Sequence, residues 1–386
     1  MSSVNSNRNN QKRVLVALSG GVDSAVSAAL LKEQGYYVEG AHMVCWREGP
    51  YCTSDSDRAD AAKVAAHLGI PFRVFDFQKE YKEAVINYFY EEYEAGRTPN
   101  PDIACNSEIK FGIFLRKALE LGFDYIATGH YAQIKWDQSL EQFKLLAGLD
   151  PDKDQTYFLY RLTQKQLKQV LFPIGHLKKT QVRALAAKLN MPNATKKDSQ
   201  GICFVGDVEV REFLSERIKN TIGDVITTGG RVIGKHRGLS FYTIGQREGV
   251  GASGEIPYYV VRKEAKTNTL IVAPLGDPSH FQPQLEANGL TWVGKKPKVP
   301  DVQVRIRYRQ PLVEAKITDL EADKLVLEFK EPQRAVTPGQ AVVLYNSKKY
   351  MSSYQNDEVL GGGTISEEKL VLQKTQIGDT QGYIFT

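Results

Sequence analysis

The chain has 386 residues and a formal net charge of +5, from 50 lysines and arginines against 45 aspartates and glutamates. Apolar residues make up 42% and charged residues 25%, ordinary for a globular protein and wrong for a membrane-embedded or disordered one. No apolar run reaches the roughly 20 residues of a membrane-spanning helix, and the length allows two or three domains of roughly 100–200 residues.

Met1–Lys12 is polar and rich in Asn and Ser. It lacks the apolar core of a signal peptide and the Arg-rich amphipathic pattern of a transit peptide, so it reads as a disordered leader. The cysteines are Cys45, Cys52, Cys105 and Cys203, with no Cys-x-x-Cys pair, which argues against a structural zinc site. Few cysteines and no secretory signal point to a reducing, cytoplasmic compartment. The modest positive charge permits an RNA partner without demanding one.

Arg13–Leu18 reads as a buried strand and Ala25–Gln34 as a helix closed by Gly35, with Ser24 placed as its N-cap. Between them lies Ser19-Gly-Gly-Val-Asp-Ser24. Two glycines let a ligand approach the backbone, and the turn and helix N–H groups converge on a spot that suits a phosphate. No Lys follows, so this is not the kinase-type P-loop. The motif resembles instead the pyrophosphate loop of ATP-pyrophosphatases, which split ATP between the α- and β-phosphates.

Tyr37–Cys45 reads as a second strand, Asp57–Leu68 as a helix, Pro71–Asp76 as a third strand and Lys79–Ala95 as another helix. Gly96–Cys105 reads as a loop whose two prolines bar a helix, which resumes at Asn106 or Ser107. Asp124–His130 is strand then turn. Alternating strands and helices predict a doubly wound, mostly parallel α/β sheet. Gln133–Leu149 reads as a hairpin or an excursion, Lys153–Tyr160 as a charged corner, Thr180–Asn190 as a helix, Thr195–Phe204 as a loop and Arg211–Lys219 as a short helix.

After Gly223 the chain turns to short alternating segments cut by glycines: Val225–Gly234, Leu239–Gly245, Tyr258–Arg262 and Thr269–Ala273. From Leu285 strands follow at Val302–Tyr308, Leu312–Ile317, Lys324–Phe329, Ala341–Tyr345 and Val359–Ile365, the spacing of a small barrel. The expected division is a leader over 1–12, a catalytic α/β domain over 13–219, a small β-rich domain over 220–284 and a β-barrel over 285–386.

Ser19–Ser24, Asn100-Pro-Asp-x-x-Cys105, Ala127-Thr-Gly-His130, Lys153-Asp-Gln155 and Gly201-Ile-Cys-Phe204 occur in this order. Together with the β-rich half, this set resembles the bacterial tRNA-specific 2-thiouridylases over nearly the whole chain after the leader. The resemblance implies an enzyme that adenylates the C2 oxygen of a wobble uridine with ATP and Mg²⁺ and replaces it with sulfur. It implies ATP contacts along Ala17, Leu18, Ser19, Gly20, Gly21, Val22, Asp23 and Ser24, with Met43 and Gly129 beyond. It implies Cys203 as persulfide carrier and Cys105 as nucleophile, ending in a Cys105–Cys203 disulfide. Asn100, Pro101 and Asp102 then touch the target base, and Lys153, Asp154, Gln155, Arg307 and Tyr308 touch tRNA. The implied partners are tRNA and a sulfur donor, a cysteine desulfurase or relay protein, with no membrane and a monomeric chain.

Some readings stay open on the residues alone. Asp23 either shapes the turn or helps hold the ion. Asp102 is an acid or base, or a turn aspartate. Met43 borders the adenine or packs in the core. His130 reads as a hydrogen-bonded loop histidine. Arg305, Arg307 and Arg309 alternate and would share one strand face toward phosphates, with Lys295, Lys296 and Lys298 extending the patch. An iron–sulfur cluster on Cys52, Cys105 and Cys203 ranks below the persulfide route. An amide-forming synthetase and a non-enzymatic RNA-binding protein are the rival readings. The loops carrying Cys105 and Cys203 are expected to move, to admit an anticodon and then exclude water.

Overall fold

The structure is a computed structural model that describes residues 11–47, 54–198, 210–219, 221–247, 249–250, 256–346 and 357–367. Its first sheet is parallel. Strand β1 (Arg13–Ala17) leads through α1 (Val22–Glu33) to β2 (Tyr37–Val44), then through α2 (Ser54–Leu68) to β3 (Phe72–Asp76). The chain continues through α3 (Gln78–Tyr81), a π-helical stretch (Lys82–Ile86) and α4 (Asn87–Glu94). It then runs through α5 (Pro101–Ala104), a second π-helical stretch (Cys105–Phe114) and α6 (Leu115–Glu120) to β4 (Tyr125–Ala127).

Val14, Leu15 and Val16 of β1 are wholly buried, as a central parallel strand requires. Leu15 and Ala17 join the apolar cluster beneath α3–α6, while Val14 and Val16 join the one beneath α1 and α2. The strand thus feeds two cores through its period of two.

β5 (Ala132–Asp137) and β6 (Gln142–Ala147) form the expected hairpin. After it come α7 (Gln164–Leu167), β7 (Val170–Leu171), α8 (Lys179–Lys188) and α9 (Val210–Ser215). The parallel sheet has the order β3-β2-β1-β4-β7. Its direction of growth reverses between β1 and β4, and ligands bind beyond the carboxyl ends of strands at such a switch point. Ser19–Ser24 and Thr128–His130 follow those two ends.

A second sheet, β10-β11-β8-β9, joins β8 (Gly223–Thr227), β9 (Val232–His236), β10 (Tyr258–Glu264) and β11 (Thr269–Pro274). The third contains β12 (Phe281–Trp292), β13 (Asp301–Arg305), β14 (Val313–Leu320), β15 (Lys324–Arg334), β16 (Ala341–Asn346) and β17 (Glu358–Ile365). The order β12-β15-β14-β13-β16-β17 with a β12–β17 pairing closes six strands into a barrel. Leu285, Val304, Leu325, Leu327 and Leu344 fill it. β6 pairs with β17, so the hairpin of the first segment extends the sheet of the barrel. Lys144 of β6, buried between Asp137 at 2.8 Å and Glu358 at 3.3 Å, ties that joint.

Four local expectations are corrected. Gly21, not Ser24, is the N-cap of α1, with no side chain capping it. The helix after Gly96 starts at Pro101, because proline suits a first helical position, where its missing N–H costs nothing. Leu239–Phe241 is a short 3₁₀ turn, not a strand, between Gly238 and Gly245, both with positive φ. β13 ends at Arg305, and a turn with Arg309 at φ +66° breaks the expected alternation of Arg305, Arg307 and Arg309.

Arg305 turns inward onto Asp154, Nη1 to Oδ2 at 2.5 Å, with their side chains 13% and 2% exposed. Removing one partner of a buried pair strands the other's charge. Arg305→Ala is expected to cost about 3–5 kcal/mol, read as a lowered urea midpoint by circular dichroism. A loss under about 0.5 kcal/mol would show that the pair does not join the barrel to the α/β layer.

Candidate active site

The loop after β1 is built from its own hydroxyls. Ser24 Oγ accepts from Ser19 N at 3.2 Å and donates to Gly21 O at 3.1 Å, while Ser19 Oγ accepts from Gly21 N at 3.3 Å. Because no side chain caps α1, its first-turn N–H groups remain for a ligand. Gly20 is buried at φ +80°, and a Cβ there would lie 2.5 Å from Asp57 O. Gly129, after β4, lies against the first turn of α1, where a Cβ would meet Ser24 N at 2.7 Å and the Asp23 carbonyl carbon at 2.8 Å. The two switch-point loops therefore touch, and only glycine allows it.

Behind the loop stands a polar network that joins Asp23 and Lys153 to residues that the sequence motifs do not mark. Lys179 Nζ lies 2.8 Å from both carboxylate oxygens of Asp23 and 2.7 Å from Asp198. Tyr131 donates its hydroxyl to Asp23 at 2.9 Å. Burial, reinforced by Asp23, pushes the Tyr131 phenol far up, so it stays a donor. Asp198 also takes Lys153 at 2.7 Å and Arg183 at 2.8 Å. Asn193 Nδ2 donates to Gly20 O at 2.8 Å, and Lys196 bridges Asp57 and Asp60 at 2.7 and 2.8 Å. One signal was available: Lys179 opens α8, and the positive end of a helix disfavours a cation without an acidic partner.

Leu18 O accepts from His42 Nδ1 at 2.9 Å, and burial holds that imidazole below its ordinary range. Ala17, Leu18, Val22 and Ser24 are buried. Met43 is buried in the same apolar cluster as Cys45 and Cys105. His130 is buried between Phe111 and Phe172, bonded to Thr128 at 2.7 Å, and burial holds it well below its ordinary pKa.

Asn100 caps the next helix, its Oδ1 accepting from Ile103 N at 3.4 Å, with Pro101 and half-buried Asp102 in the first turn. Cys105 opens the π-helical stretch that continues that helix and is fully buried, so it does not sit on the expected loop. The barrel grips the approach to this helix. Thr98 N donates to Pro338 O at 2.9 Å, and Gln340 Nε2 donates to Thr98 O at 2.8 Å and Pro99 O at 3.2 Å. Cys52, Cys203 and the Gly201–Phe204 motif lie outside the described residues.

The five residues expected to touch tRNA make their contacts within the fold. Lys153 pairs with Asp198. Asp154 accepts from Gly148 N, Thr156 N and Arg305. Gln155 exchanges two hydrogen bonds with Tyr131, N to O at 3.1 Å and Oε1 from N at 3.0 Å. Arg307 donates to Ile244 O at 2.6 Å and Thr337 Oγ1 at 2.9 Å. Tyr308 packs on Phe158 at 4.3 Å between centroids. Arg309, Lys295, Lys296 and Lys298 are exposed. Among the described residues no three His, Cys, Asp or Glu side chains cluster as a metal site, and no helix is long and apolar enough to cross a membrane.

A glycine loop on a helix N-terminus at a parallel-sheet switch point defines a nucleotide-binding α/β protein. Comparison agrees. A family described as the tRNA methyl transferase HUP domain matches residues 12–207, its PRC-barrel domain 211–274, and an aminomethyltransferase beta-barrel domain 282–365. The tRNA-specific 2-thiouridylase MnmA of Nitrosomonas europaea is 48% identical over 92% of this chain and 98% of its own. That of Geobacillus thermodenitrificans is 46% identical over 92% of this chain and 95% of its own. The chain belongs to the tRNA-specific 2-thiouridylase family of enzymes. Among solved structures, a 4-thiouridine synthetase–RNA complex with bound ATP matches at 16% identity and TM-score 0.35, covering 53% of this chain and 50% of that one, too distant to argue from.

Asp198 gives the network a pH signature. Burial alone would raise its carboxyl, but hydrogen bonds from Lys153 and Lys179 bring it down from 3.8 to about 2. A depressed acid contributes stability that is fully present above pH 3.8 and lost as pH falls through about 2. The melting-temperature gap between wild type and Asp198→Asn is therefore expected to be constant at neutral pH and to close on acidification across that window. A gap that persists down to pH 2 would contradict the ion-pair assignment.

Proposed function

We propose that the chain is a cytoplasmic, monomeric, ATP-dependent tRNA-uridine 2-sulfurtransferase. The observation that carries this reading is the contact of the two glycine loops at the switch point, in a chain 48% identical to a named 2-thiouridylase. A carbonyl oxygen is a poor leaving group, so it must be activated. The uracil C2 oxygen attacks the α-phosphorus of ATP, pyrophosphate leaves, and the oxygen is carried as AMP.

Within the loop from Ala17 to Ser24, the backbone N–H groups of the uncapped first turn of α1 hold the phosphates, and Gly129 lets the nucleotide lie close. Lys179 is the ammonium at hand for the charge that develops on the leaving pyrophosphate. Mg²⁺ bound with ATP neutralises phosphate charge. Asp23 is the one carboxylate in the loop that fits such an ion, and it already shares its oxygens with Lys179 and Tyr131.

Sulfur then arrives as a persulfide on Cys203, loaded by a desulfurase or relay protein. Its outer sulfur attacks C2 and AMP departs. The Cys105 thiolate attacks the inner sulfur of Cys203, the S–S bond breaks toward the nucleobase sulfur, and 2-thiouridine leaves. The resulting Cys105–Cys203 disulfide needs a thiol reductant before the next turnover. Asn100, Pro101 and Asp102 hold the base, one helical turn before Cys105. Because Cys105 is fully buried, side chains covering it must shift before it reacts. Lys153, Asp154, Gln155, Arg307 and Tyr308 mark the tRNA face; Asp154 serves by shaping that corner from beneath.

The test is reconstitution. Protein, Mg-ATP, a persulfide donor, a thiol reductant and unmodified tRNA are mixed, and the digested RNA is searched for 2-thiouridine by mass spectrometry. Wild type is expected to form it, and Cys105→Ala and Cys203→Ala are not. Pyrophosphate release without thiouridine, from a donor shown to be competent, would point to a small-molecule synthetase. Separately, Gly129→Ala forces backbone apart at the loop. It is expected to weaken ATP binding at least about tenfold by calorimetry, a loss of about 1.4 kcal/mol. Unchanged ATP affinity would place the nucleotide elsewhere.

A further inference from the structure

Where the helix at Pro101 meets the barrel, one cationic side chain, Arg161, makes no ion pair among the described residues; Glu108 acts on it only at longer range, and its guanidinium lies 5.7 Å from the centroid of the Tyr160 ring. Arg161 Nε donates to the Tyr160 hydroxyl at 3.2 Å, and Nη2 donates to Thr364 Oγ1 at 3.5 Å. A guanidinium carries five N–H donors, so most of its capacity is unused. Among the described residues no carboxylate pairs with it. Glu92, on neighbouring α4, is taken by Arg97 through Nε and Nη2 at 2.7 and 2.5 Å. Holding a half-buried cation without a close anion is costly.

The surrounding cleft has matching chemistry. Tyr88, Asn100, Tyr160, Arg161, Gly339 and Thr364 line it, and no acidic side chain does. Asn100 spends Oδ1 on capping Ile103, which leaves its amide N–H groups. Thr364 and Tyr160 accept from Arg161, which leaves their hydroxyl hydrogens to donate. Burial pushes the Tyr88 hydroxyl up to about 12, so it too stays protonated. Each polar side chain lining the cleft thus has a donor to offer. Gly339 sits at φ +89° against Thr98, which fixes the barrel wall of the cleft.

We infer that a backbone phosphate of the RNA substrate, next to the nucleotide being modified, seats on the open side of this narrow cleft, whose enclosed volume of about 10 Å³ admits little more than a water, with Arg161 as its anchor. The inference rests on the proposed function, which puts the target base against Asn100. The group nearest a base held there is its own strand's phosphate, and the planar guanidinium fork suits phosphate oxygens. Arg161 acts as a positioning residue. It sets where the nucleotide sits relative to Asp102 and Cys105 and takes no part in bond making.

The test uses full-length protein with unmodified tRNA, its affinity measured by fluorescence anisotropy across a salt series. Arg161→Gln keeps hydrogen-bonding capacity and loses the charge; Arg161→Lys keeps the charge. The glutamine variant is expected to bind tRNA roughly tenfold more weakly at low salt. Its log–log salt slope should fall by about 0.7–0.9, one phosphate contact. Lysine should restore the slope. KM for tRNA should rise while ATP affinity and melting temperature hold. A glutamine variant with the wild-type slope overturns the inference. So does a parallel fall in melting temperature that lysine does not rescue, since that marks a packing role. Wild type that binds no tRNA would instead bring down the proposed function itself.

Discussion

The ammonium of Lys179, held between Asp23 and Asp198, is the contact on which the arrangement of the site depends. Asp23 belongs to the first turn of α1, Lys179 to the start of α8, and Asp198 to the chain beyond that helix. One cation therefore binds three stretches far apart in sequence, at a place where an α1 N-terminus without a side-chain cap already attracts negative charge. Lys153 and Arg183 extend the network outward from Asp198, and Asn193 and Lys196 pin the same stretch to Gly20 and α2. A nucleotide entering the loop meets a partner already balanced in charge. Lys179 is shared between the carboxylate of the loop and Asp198, which Lys153 and Arg183 also hold.

The barrel is part of the site. It hydrogen-bonds the backbone of Thr98 and Pro99, immediately before the helix that carries Asn100, Asp102 and Cys105. It also pairs its last strand with β6, only a few residues before Lys153. The segments proposed for base and tRNA contact are thus each held from the α/β layer on one side and from the barrel on the other. That double hold explains why so many polar residues in them point inward. Asp154, Gln155 and Arg307 spend their hydrogen bonds on structure, so the surface they shape, more than their own side chains, is what reaches solvent.

Much of this was legible in the sequence. The parallel sheet, the glycine turn after β1, the hairpin at 133–149 and most barrel strands follow from local signals: apolar runs, a period of two and turn residues. These depend on neighbours within a few positions, where propensity and sterics act. The glycines at positions 20 and 129 could be marked as sites of close approach, and the family could be read from ordered motifs. By itself the sequence determined the elements and the chemistry to expect.

Tertiary structure decided the partners. Whether Arg305, Arg307 and Arg309 face a nucleic acid or the interior depends on where Asp154 and Ile244 arrive, and no period encodes that. Lys179 reads locally as one helix lysine among many; only folding brings it 2.8 Å from Asp23, 156 residues earlier. The helix start at Pro101, by contrast, was a local signal: Asn100 as N-cap with proline at the first helical position. Coulombic and hydrogen-bonding partners are chosen by distance in space, which the chain sets only once both cores have closed.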